Sequence, residues 1–328
     1  MKAYERFLEY VAVWTTSDEN SDTVPSAARE LDLAKKLVEE MKGLGIEDAR
    51  VDDKGYVYGS VPATPGCEDK AALGLIAHMD TAMDASGKDI KPQLIKNYDG
   101  GDVVLGTSGN VLSVAEFPHL AGLKGRTLIT TDGTTLLGAD DKAGIAEILT
   151  AVDEIIKEGL PHGKICIGFT PDEEIGRGSD HFDVEGFGAD YAYTLDGDAE
   201  GEIQYENFNA STGFVTCHGV SVHTGSAKDI MVNSQTIATE YHQMLPADER
   251  PETTEGYEGF YHLNAMSGNV TTTNMKYLIR DFDKENFDKR AEKMQEIAEV
   301  LNQKYGEGSV EVKVTESYRN MREKIEPC

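Results

Sequence analysis

The amino-acid sequence predicts an α/β protein, in which a sheet with helices on its faces is followed by a smaller ferredoxin-like domain. Strand-like and helix-like segments alternate up to about residue 206, which is typical of such a sheet. Beyond that point the order becomes strand, helix, two strands, helix and strand, the βαββαβ order of a ferredoxin-like sandwich. A length of 328 residues suffices for two domains or one large one, and a hydrophobic content of 39% suffices for a substantial core.

Two helices are predicted at the start of the chain. The segment 1–14 (MKAYERFLEYVAVW) places charged residues among apolar ones, so it is typical of an amphipathic helix and not of a signal peptide. The segment 24–45 begins with Pro25 and Ser26, carries apolar residues at helical spacing and ends in glycines. Both segments are therefore expected to pack one apolar face against a core.

The sheet is predicted from the strand-like runs that follow. Strands are expected at 55–61 and 72–77, and the polar, glycine-rich region 82–122 is expected to loop over the surface. A strand at 124–133 then leads to a helix with an apolar stripe at 145–156. The remaining predicted elements are strands at 164–174 and 189–198, a strand at 211–223, a helix at 230–245, two strands within 259–283, a helix at 287–306 and a strand at 309–317.

The charge and the cysteines limit the possible partners and the compartment. The formal net charge is −28, and so acidic a surface disfavours nucleic acid and anionic membrane surfaces as partners. Apolar runs long enough to span a membrane are absent from the sequence. The four cysteines are scattered without a CxxC pair, which favours a reducing, cytoplasmic location.

Polar side chains occur in four clusters, each expected at the carboxyl end of a predicted strand, and one of them also directly precedes a predicted helix. The clusters are His78 with Asp80, Asp140 with Asp141, Glu173 with Glu174, and Asp196 with Asp198. Each alone is ordinarily explained by helix capping or a solvated turn. In open α/β sheets, however, ligands bind at the carboxyl ends of the strands, and so many carboxylates in one crevice repel one another unless cations neutralise them. One histidine with several carboxylates suits Zn²⁺, with Mn²⁺ or Co²⁺ as substitutes, so the sequence predicts a metal site.

Several segments resemble a known enzyme family. AHMDT, GADDKAGIAEI, TPDEEIGRG and TLDGD are similar to the signature segments of the two-zinc aminoacylase/carboxypeptidase metallopeptidases. The resemblance extends over essentially the whole chain, including HTGSAKDIMVNS and YLIRDFD. It implies a zinc-peptidase catalytic domain with a mixed sheet and flanking helices (1–206, re-entered by 313–328), and an inserted ferredoxin-like lid domain (207–312).

The resemblance also implies a role for each residue of the site. His78, Asp140 and Asp196 would bind one zinc ion, and Asp140 would bridge to a second zinc ion that Glu174 also binds. Asp80 would orient His78, and Glu173 would be the general base that takes a proton from the attacking water. The remaining residues would act on the substrate from the lid, where His223 would stabilise the oxyanion and Arg280 with Asn233 would hold a peptide carboxylate.

The family pattern continues beyond residue 328, through a later segment that supplies a final histidine ligand. The sequence contains no histidine after His262, and Cys328 is not expected to replace one. The resemblance therefore implies a C-terminally truncated chain whose second zinc site keeps only Asp140 and Glu174. On that reading, the chain as given would bind at most one zinc ion tightly and would have little peptidase activity.

The function that the resemblance implies is a zinc-dependent aminopeptidase that releases the N-terminal residue of tripeptides. Two alternatives stay open at the level of sequence. One is a related di-metal amidohydrolase or dipeptidase, and the other is a catalytically inactive remnant that binds peptide or metal. Short peptides are the expected partners, and a homodimer is left open.

Overall fold

The computed structural model describes residues 1–197 and 199–326. The chain divides into two compact units, Met1–Ala199 and Glu200–Cys328. The sequence analysis placed the domain boundary at 206/207 and assigned 313–328 to the first domain. In the structure, residues 313–326 cluster with the second unit.

The first unit is a mixed sheet covered by helices. Its helices are α1 (Ala3–Val11), α2 (Glu30–Gly43), α3 (Ala139–Glu158) and α4 (Val184–Phe187), with short 3₁₀ helices at Pro118–Leu123 and Glu173–Ile175. Its strands are β1 (Arg50–Val51), β2 (Val57–Val61), β3 (Leu73–His78), β4 (Gln93–Ile95), β5 (Val103–Val104), β6 (Val111–Leu112), β7 (Leu128–Thr130), β8 (Ile165–Thr170) and β9 (Tyr191–Thr194).

Strand direction in the main sheet determines where the polar clusters lie. The strand order is β1-β2-β8-β3-β9, with β3 parallel to both β8 and β9 and with β2 antiparallel to β8. The register pairs His78 with Thr170 and Ile76 with Thr194, so the carboxyl ends of β3, β8 and β9 lie at one edge of the sheet. The mixed sheet with flanking helices confirms the fold predicted for this part of the chain.

The core of the first unit explains why its helices form where they do. β8 is buried along its whole length, as expected for a strand in the middle of a sheet. The apolar stripe of α3, including Ile145, Leu149 and Val152, packs into the same core as Leu33, Leu37 and Met41 of α2. The periodic apolar positions seen in the sequence are thus the buried face of each helix.

Two details of the first unit differ from the sequence-based expectation. The second helix begins at Glu30 and not at Pro25, because the backbone N–H groups of Ser26 and Ala27 donate to the carboxylates of Asp172 and Glu30. The region 82–122, expected to loop over the surface, instead contains β4, which pairs with β7, and the strand pair β5–β6, around a small core that includes Tyr98, Val103 and Leu120. Strands of two or three residues are too short to show a period in the sequence.

The second unit is a four-stranded sheet covered by two helices. Its elements are β10 (Asn209–His218), α5 (Ser234–Met244), β11 (Phe260–Gly268), β12 (Thr272–Asp281), α6 (Lys284–Tyr305), β13 (Val310–Tyr318) and α7 (Arg322–Ile325), with a 3₁₀ turn at Thr224–Ser226. The antiparallel sheet has the order β11-β12-β10-β13, which is the order of a ferredoxin-like sandwich. The predicted ferredoxin-like domain is therefore confirmed.

The two helices of this sandwich cover one face of its sheet. Ile237 and Tyr241 of α5 and Met294 and Leu301 of α6 are fully buried against Tyr277 and its neighbours. Within residues 1–197 and 199–326, no helix combines the length and the apolar character needed to cross a bilayer.

Candidate metal centre

The carboxyl-terminal edge of the main sheet brings together the side chains of the predicted site. His78 is the last residue of β3, Glu173 and Glu174 follow β8, and Asp196 follows β9. Asp140 does not follow a strand of the main sheet. It lies at the start of α3, and the preceding strand β7 belongs to a separate small sheet with β4. The peptide bond between Asp140 and Asp141 is cis.

His78 lies at the centre of this cluster. Its side chain is 2% exposed, and its Nε2 atom lies 2.8 Å from Asp140 Oδ1, 3.8 Å from Asp196 Oδ2 and 3.9 Å from Glu173 Oε2. Burial opposes a positive charge on the ring, but hydrogen bonds with Asp140 and Asp80 outweigh it and raise the pKa of His78 to about 11. The carboxylates thus create a strong demand for positive charge at this point.

Asp80 fixes the orientation of the His78 ring. The Nδ1 atom of His78 lies 3.1 Å from the backbone oxygen of Asp80 and 3.3 Å from its Oδ1 atom. A proton on Nδ1 is shared with these acceptors, so Nε2 is the ring atom that remains to bind a cation. The fully buried Asp80 carboxylate also accepts hydrogen bonds from the backbone N–H groups of Glu173 (3.0 Å) and Glu174 (3.1 Å).

Two sets of side chains have the spacing that a metal ion requires. His78, Glu173 and Asp196 form one set, and His78, Asp140 and Glu174 form the other; within each, the candidate ligand atoms lie within 4.8 Å of one another. Burial, together with neighbouring carboxylates, raises the pKa of Glu173, Glu174 and Asp196, whereas the hydrogen bond from His78 lowers that of Asp140. Crowded carboxylates around one imidazole are a donor set that fits a divalent metal such as zinc.

Asp141 has a role that the sequence pattern did not assign. Its side chain is buried, and its Oδ2 accepts from the backbone N–H of His78 (3.1 Å) while its Oδ1 accepts from that of Gly144 (3.1 Å). The two adjacent aspartate side chains therefore make different contacts. Asp140 contacts His78 in the cluster, whereas Asp141 binds the backbone at the start of the helix and at the end of β3. The helix-capping explanation of an Asp-Asp pair applies to Asp141.

Lys142 is a second residue that sequence reasoning missed. It is fully buried and donates from Nζ to the backbone oxygen of Val13 at 2.8 Å. Burial lowers the pKa of Lys142 to about 8, an effect that Asp80 partly opposes. Its place directly after the Asp-Asp pair was the only signal in the sequence.

The three remaining predicted residues lie in the second unit. His223 accepts a hydrogen bond at Nδ1 from the Gly225 N–H (3.1 Å), so in its neutral form the ring carries its proton on Nε2. Arg280 donates from one terminal nitrogen to the backbone oxygens of Ser211 (3.3 Å) and Ile279 (2.9 Å).

Asn233 caps α5, because its Oδ1 accepts from the Gln235 N–H at 2.9 Å. Asp198 and Cys328, which the sequence analysis also considered, lie outside the described residues.

Comparison with known proteins places the chain among peptidases. Residues 205–309 match the model of a peptidase dimerisation domain of the M20 type. The chain is 54% identical to peptidase T of Clostridium acetobutylicum, over 98% of this chain and 79% of that protein. It is 55% identical to peptidase T of Desulfitobacterium hafniense, with the same coverage.

Solved structures show the same fold. The aminopeptidase PepT of Bacillus cereus superposes with a TM-score of 0.73 at 25% identity, covering 97% of this chain and 76% of that one. A tripeptidase of Staphylococcus aureus also gives a TM-score of 0.73, at 22% identity and with the same coverage. A dinuclear metal-binding M20 peptidase of Bacillus subtilis shares the fold more distantly, with a TM-score of 0.54 at 11% identity over 97% of this chain and 75% of that one.

Proposed function

Because the chain belongs to the peptidase T family of M20 peptidases, we propose that it is a zinc-dependent aminopeptidase that removes the N-terminal residue of tripeptides. The observation that carries this proposal is the His78 cluster, in which one imidazole faces Asp140, Asp196 and Glu173 within 4 Å. Peptide-bond hydrolysis needs an activated water, a base and a means of stabilising negative charge, and these side chains can provide them.

We assign His78, Asp140 and Asp196 to one zinc ion, and Asp140 and Glu174 to a second. The assigned residues give the first ion three ligands and the second ion two, one of them shared, so the first site is the more complete of the two. Bound there, the metals would supply Lewis acidity toward the scissile carbonyl and would lower the pKa of a water molecule. Asp80 supports both sets, since it holds the His78 ring and the backbone of residues 173 and 174.

Glu173 is the residue that we assign to proton transfer. The two adjacent glutamates are the first residues of a short 3₁₀ helix, so their side chains can point in different directions, Glu174 toward the metal and Glu173 toward the water. The Glu173 carboxylate would accept the proton of the attacking water and pass it to the leaving amine. His223, which carries its neutral-form proton on Nε2, would donate to the oxyanion, and Arg280 with Asn233 would hold the substrate carboxylate.

Two further observations support proposals about the oligomeric state and the cellular location. The match of residues 205–309 to a peptidase dimerisation domain supports a homodimer. Cys67, Cys166 and Cys217 are free thiols, which supports a cytoplasmic location. Light scattering on the purified protein would measure its mass, and a monomer at micromolar concentration would contradict the dimer.

Replacing Glu173 tests the proposed mechanism. In zinc-loaded protein, Glu173→Gln should lower kcat for Ala-Ala-Ala by at least ~10²-fold, because the water loses its base while the metal ligands remain. Glu185→Gln, an exposed glutamate of the same unit, is the matched control and should leave kcat unchanged. Near wild-type turnover by Glu173→Gln would rule out Glu173 as the base.

Substrate comparison tests the proposed class of reaction. Ala-Ala-Ala should be hydrolysed faster than Ala-Ala, and N-acetyl-Ala-Ala-Ala should resist, because an aminopeptidase requires a free N-terminus. A preference for dipeptides or N-acylated amino acids would point instead to a related di-metal amidohydrolase.

A further inference from the structure

A stretch of the N-terminal segment, residues 13–30, lies behind the loops that carry the metal-binding side chains. Val13 accepts from Lys142, two residues after Asp140. The backbone of residues 15–17 pairs with Thr81, directly after Asp80. Ser26 and Glu30 bond to Asp172, directly before Glu173. One continuous stretch therefore contacts residues next to three separate parts of the site.

Asp172 is the residue through which this N-terminal stretch is hydrogen-bonded to the loop after β8. It is fully buried and has a φ of 59°, a left-handed conformation that non-glycine residues seldom adopt. Both oxygens of its carboxylate accept from the Ser26 N–H (3.0 and 2.8 Å), and its own N–H donates to Glu30 Oε2 (3.2 Å). These bonds compensate for the cost of the left-handed conformation.

The second carboxylate oxygen of Glu30 is also hydrogen-bonded. It is 1% exposed, and its Oε1 accepts from the Ala27 N–H (3.1 Å) and from the Ser26 hydroxyl (3.3 Å). Its carboxyl group thus connects the first turn of α2 to the loop after β8. No substrate or metal role is available to Glu30 in the mechanism above.

In the turn that carries Glu173 and Glu174, consecutive backbone N–H groups all donate hydrogen bonds to side chains. Its three consecutive N–H groups, those of Asp172, Glu173 and Glu174, donate to two buried side chains, Glu30 for the first and Asp80 for the other two. The direction from which the Glu173 and Glu174 carboxylates enter the cluster is set by these bonds. Asp80 was expected to orient His78, but its bonds to this turn, like those of Glu30, were not expected from the sequence.

We propose that Glu30 is a positioning residue, which together with Asp80 fixes the backbone of residues 172–174 and so aims the carboxylates of Glu173 and Glu174. The inference rests on the proposed function, because it needs Glu173 as base and Glu174 as ligand. Without the Glu30 carboxyl group, the buried N–H of Asp172 loses its acceptor and the left-handed conformation loses one of its supports. A displacement of about 1 Å at a catalytic group can cost roughly 10²-fold in rate, although Glu30 touches no substrate.

Kinetics on Glu30 variants provide the first test. At saturating zinc, Glu30→Ala should lower kcat for Ala-Ala-Ala by about 10- to 100-fold with KM changed less than about threefold. Glu30→Gln keeps an oxygen that can accept from the Asp172 N–H, so it should recover most of the lost kcat. The matched control is Glu40→Gln, which removes another α2 carboxylate, one bonded to Arg6 and Tyr10 (2.7 Å each) and not to residue 172. Its kcat should equal that of the wild type.

A second readout does not depend on turnover. Since Glu174 is aimed by the same bonds, competition with a chelator should show about tenfold weaker zinc binding by Glu30→Ala and unchanged binding by Glu40→Gln. If wild-type protein fails to cleave tripeptides, the proposed function fails, yet this affinity comparison still tests the positioning role.

Three results would overturn the proposal: kcat and zinc affinity of Glu30→Ala within twofold of wild type, an equal loss in Glu40→Gln, or no recovery in Glu30→Gln. Should Glu30→Ala not fold, Glu30→Asp replaces it. That change keeps a carboxyl group but withdraws it by one methylene group, so a wild-type kcat and zinc affinity would again overturn the proposal.

Discussion

Asp80 shows how much of this site depends on single side chains. The family resemblance predicted that Asp80 would orient the imidazole, and its contacts with Nδ1 are consistent with that prediction. The same carboxylate also holds the backbone of Glu173 and Glu174, 93 and 94 residues away along the chain. One buried carboxylate therefore couples the histidine ligand to the glutamates.

Glu30 provides a prediction for a single titrating group. Burial, together with the carboxylates of Asp172 and Asp80, raises the pKa of Glu30 from 4.5 to about 8. Between these pH values the folded protein holds a proton that the unfolded chain has released, so this group's contribution to stability falls as pH rises from 4.5 to about 8. Glu30→Gln cannot ionise and escapes this loss. In EDTA, the Tm of Glu30→Gln minus that of the wild type should therefore rise across this window.

The matched control for this measurement is again Glu40→Gln, whose Tm difference from the wild type should not show that rise. A Tm difference for Glu30→Gln that is flat between pH 4.5 and pH 8 would mean that Glu30 is ionised in the folded protein over the whole range.

Arg280 provides a prediction about substrate recognition. If its guanidinium holds the substrate carboxylate, Arg280→Ala should raise KM for Ala-Ala-Ala roughly 10-fold or more but leave KM for Ala-Ala-Ala-amide nearly unchanged, because the amide carries no charge to lose. Lys276→Ala, an exposed residue on the same face of β12, is the control and should affect neither substrate. An equal rise for both substrates would show that Arg280 does not read the carboxylate.

At the scale of whole elements, the start of α3 packs closely against the loop that carries Asp196. Gly144 lies in its first turn, where an added Cβ would overlap the backbone oxygen of Leu195 and the carboxylate Oδ1 of Asp141. The helix can therefore approach the loop that carries Asp196 only because residue 144 has no side chain. α3 thereby brings Asp140 and Asp141 to the site and packs against the neighbouring ligand loop.

Gly144→Ala tests this packing. The added methyl group should push the Leu195 carbonyl away and displace Asp196, so zinc affinity should fall about tenfold and stability by ~1–3 kcal/mol. Gly43→Ala, near the end of α2, is the control, since an added Cβ there meets nothing within 4 Å. Chelator competition and thermal unfolding measure the two effects, and unchanged zinc affinity in Gly144→Ala would contradict the argument.

At the scale of the whole molecule, two features dominate. Each unit has a hydrophobic core of its own, one around α2, α3 and β8 and the other around α5, α6 and β12. The net charge of −28 surrounds both with a negative potential. Such a field concentrates cations, including divalent metals and positively charged substrates, near the protein.

The field should be visible in the salt dependence of catalysis. Raising ionic strength from about 0.01 M to about 0.1 M shortens the screening length from about 30 Å to about 10 Å. Across that change kcat/KM should fall severalfold for Ala-Lys-Ala and rise for Ala-Glu-Ala, with neutral Ala-Gln-Ala as the control. The same trend for all three peptides would show that the net charge does not steer substrates.

The sequence by itself determined the features that depend on local pattern. Helices and strands bury one face at a fixed period, so the sequence predicted the apolar stripe of α3, the buried run of β8 and the βαββαβ order of the second unit. The site residues His78, Glu173, Glu174 and Asp196 were legible for a related reason. They follow parallel strands, and parallel strands end at one edge of a sheet.

Only the tertiary structure decided how the buried polar groups divide their tasks. It separated Asp140 from Asp141, placed Lys142 beneath Val13, and joined Glu30 to Asp172 across 142 residues of sequence. It also built the small sheets of the region that the sequence left as loops. A buried carboxylate takes its role from whichever donors the fold brings within about 3 Å, and no local period in the sequence records partners so far apart along the chain.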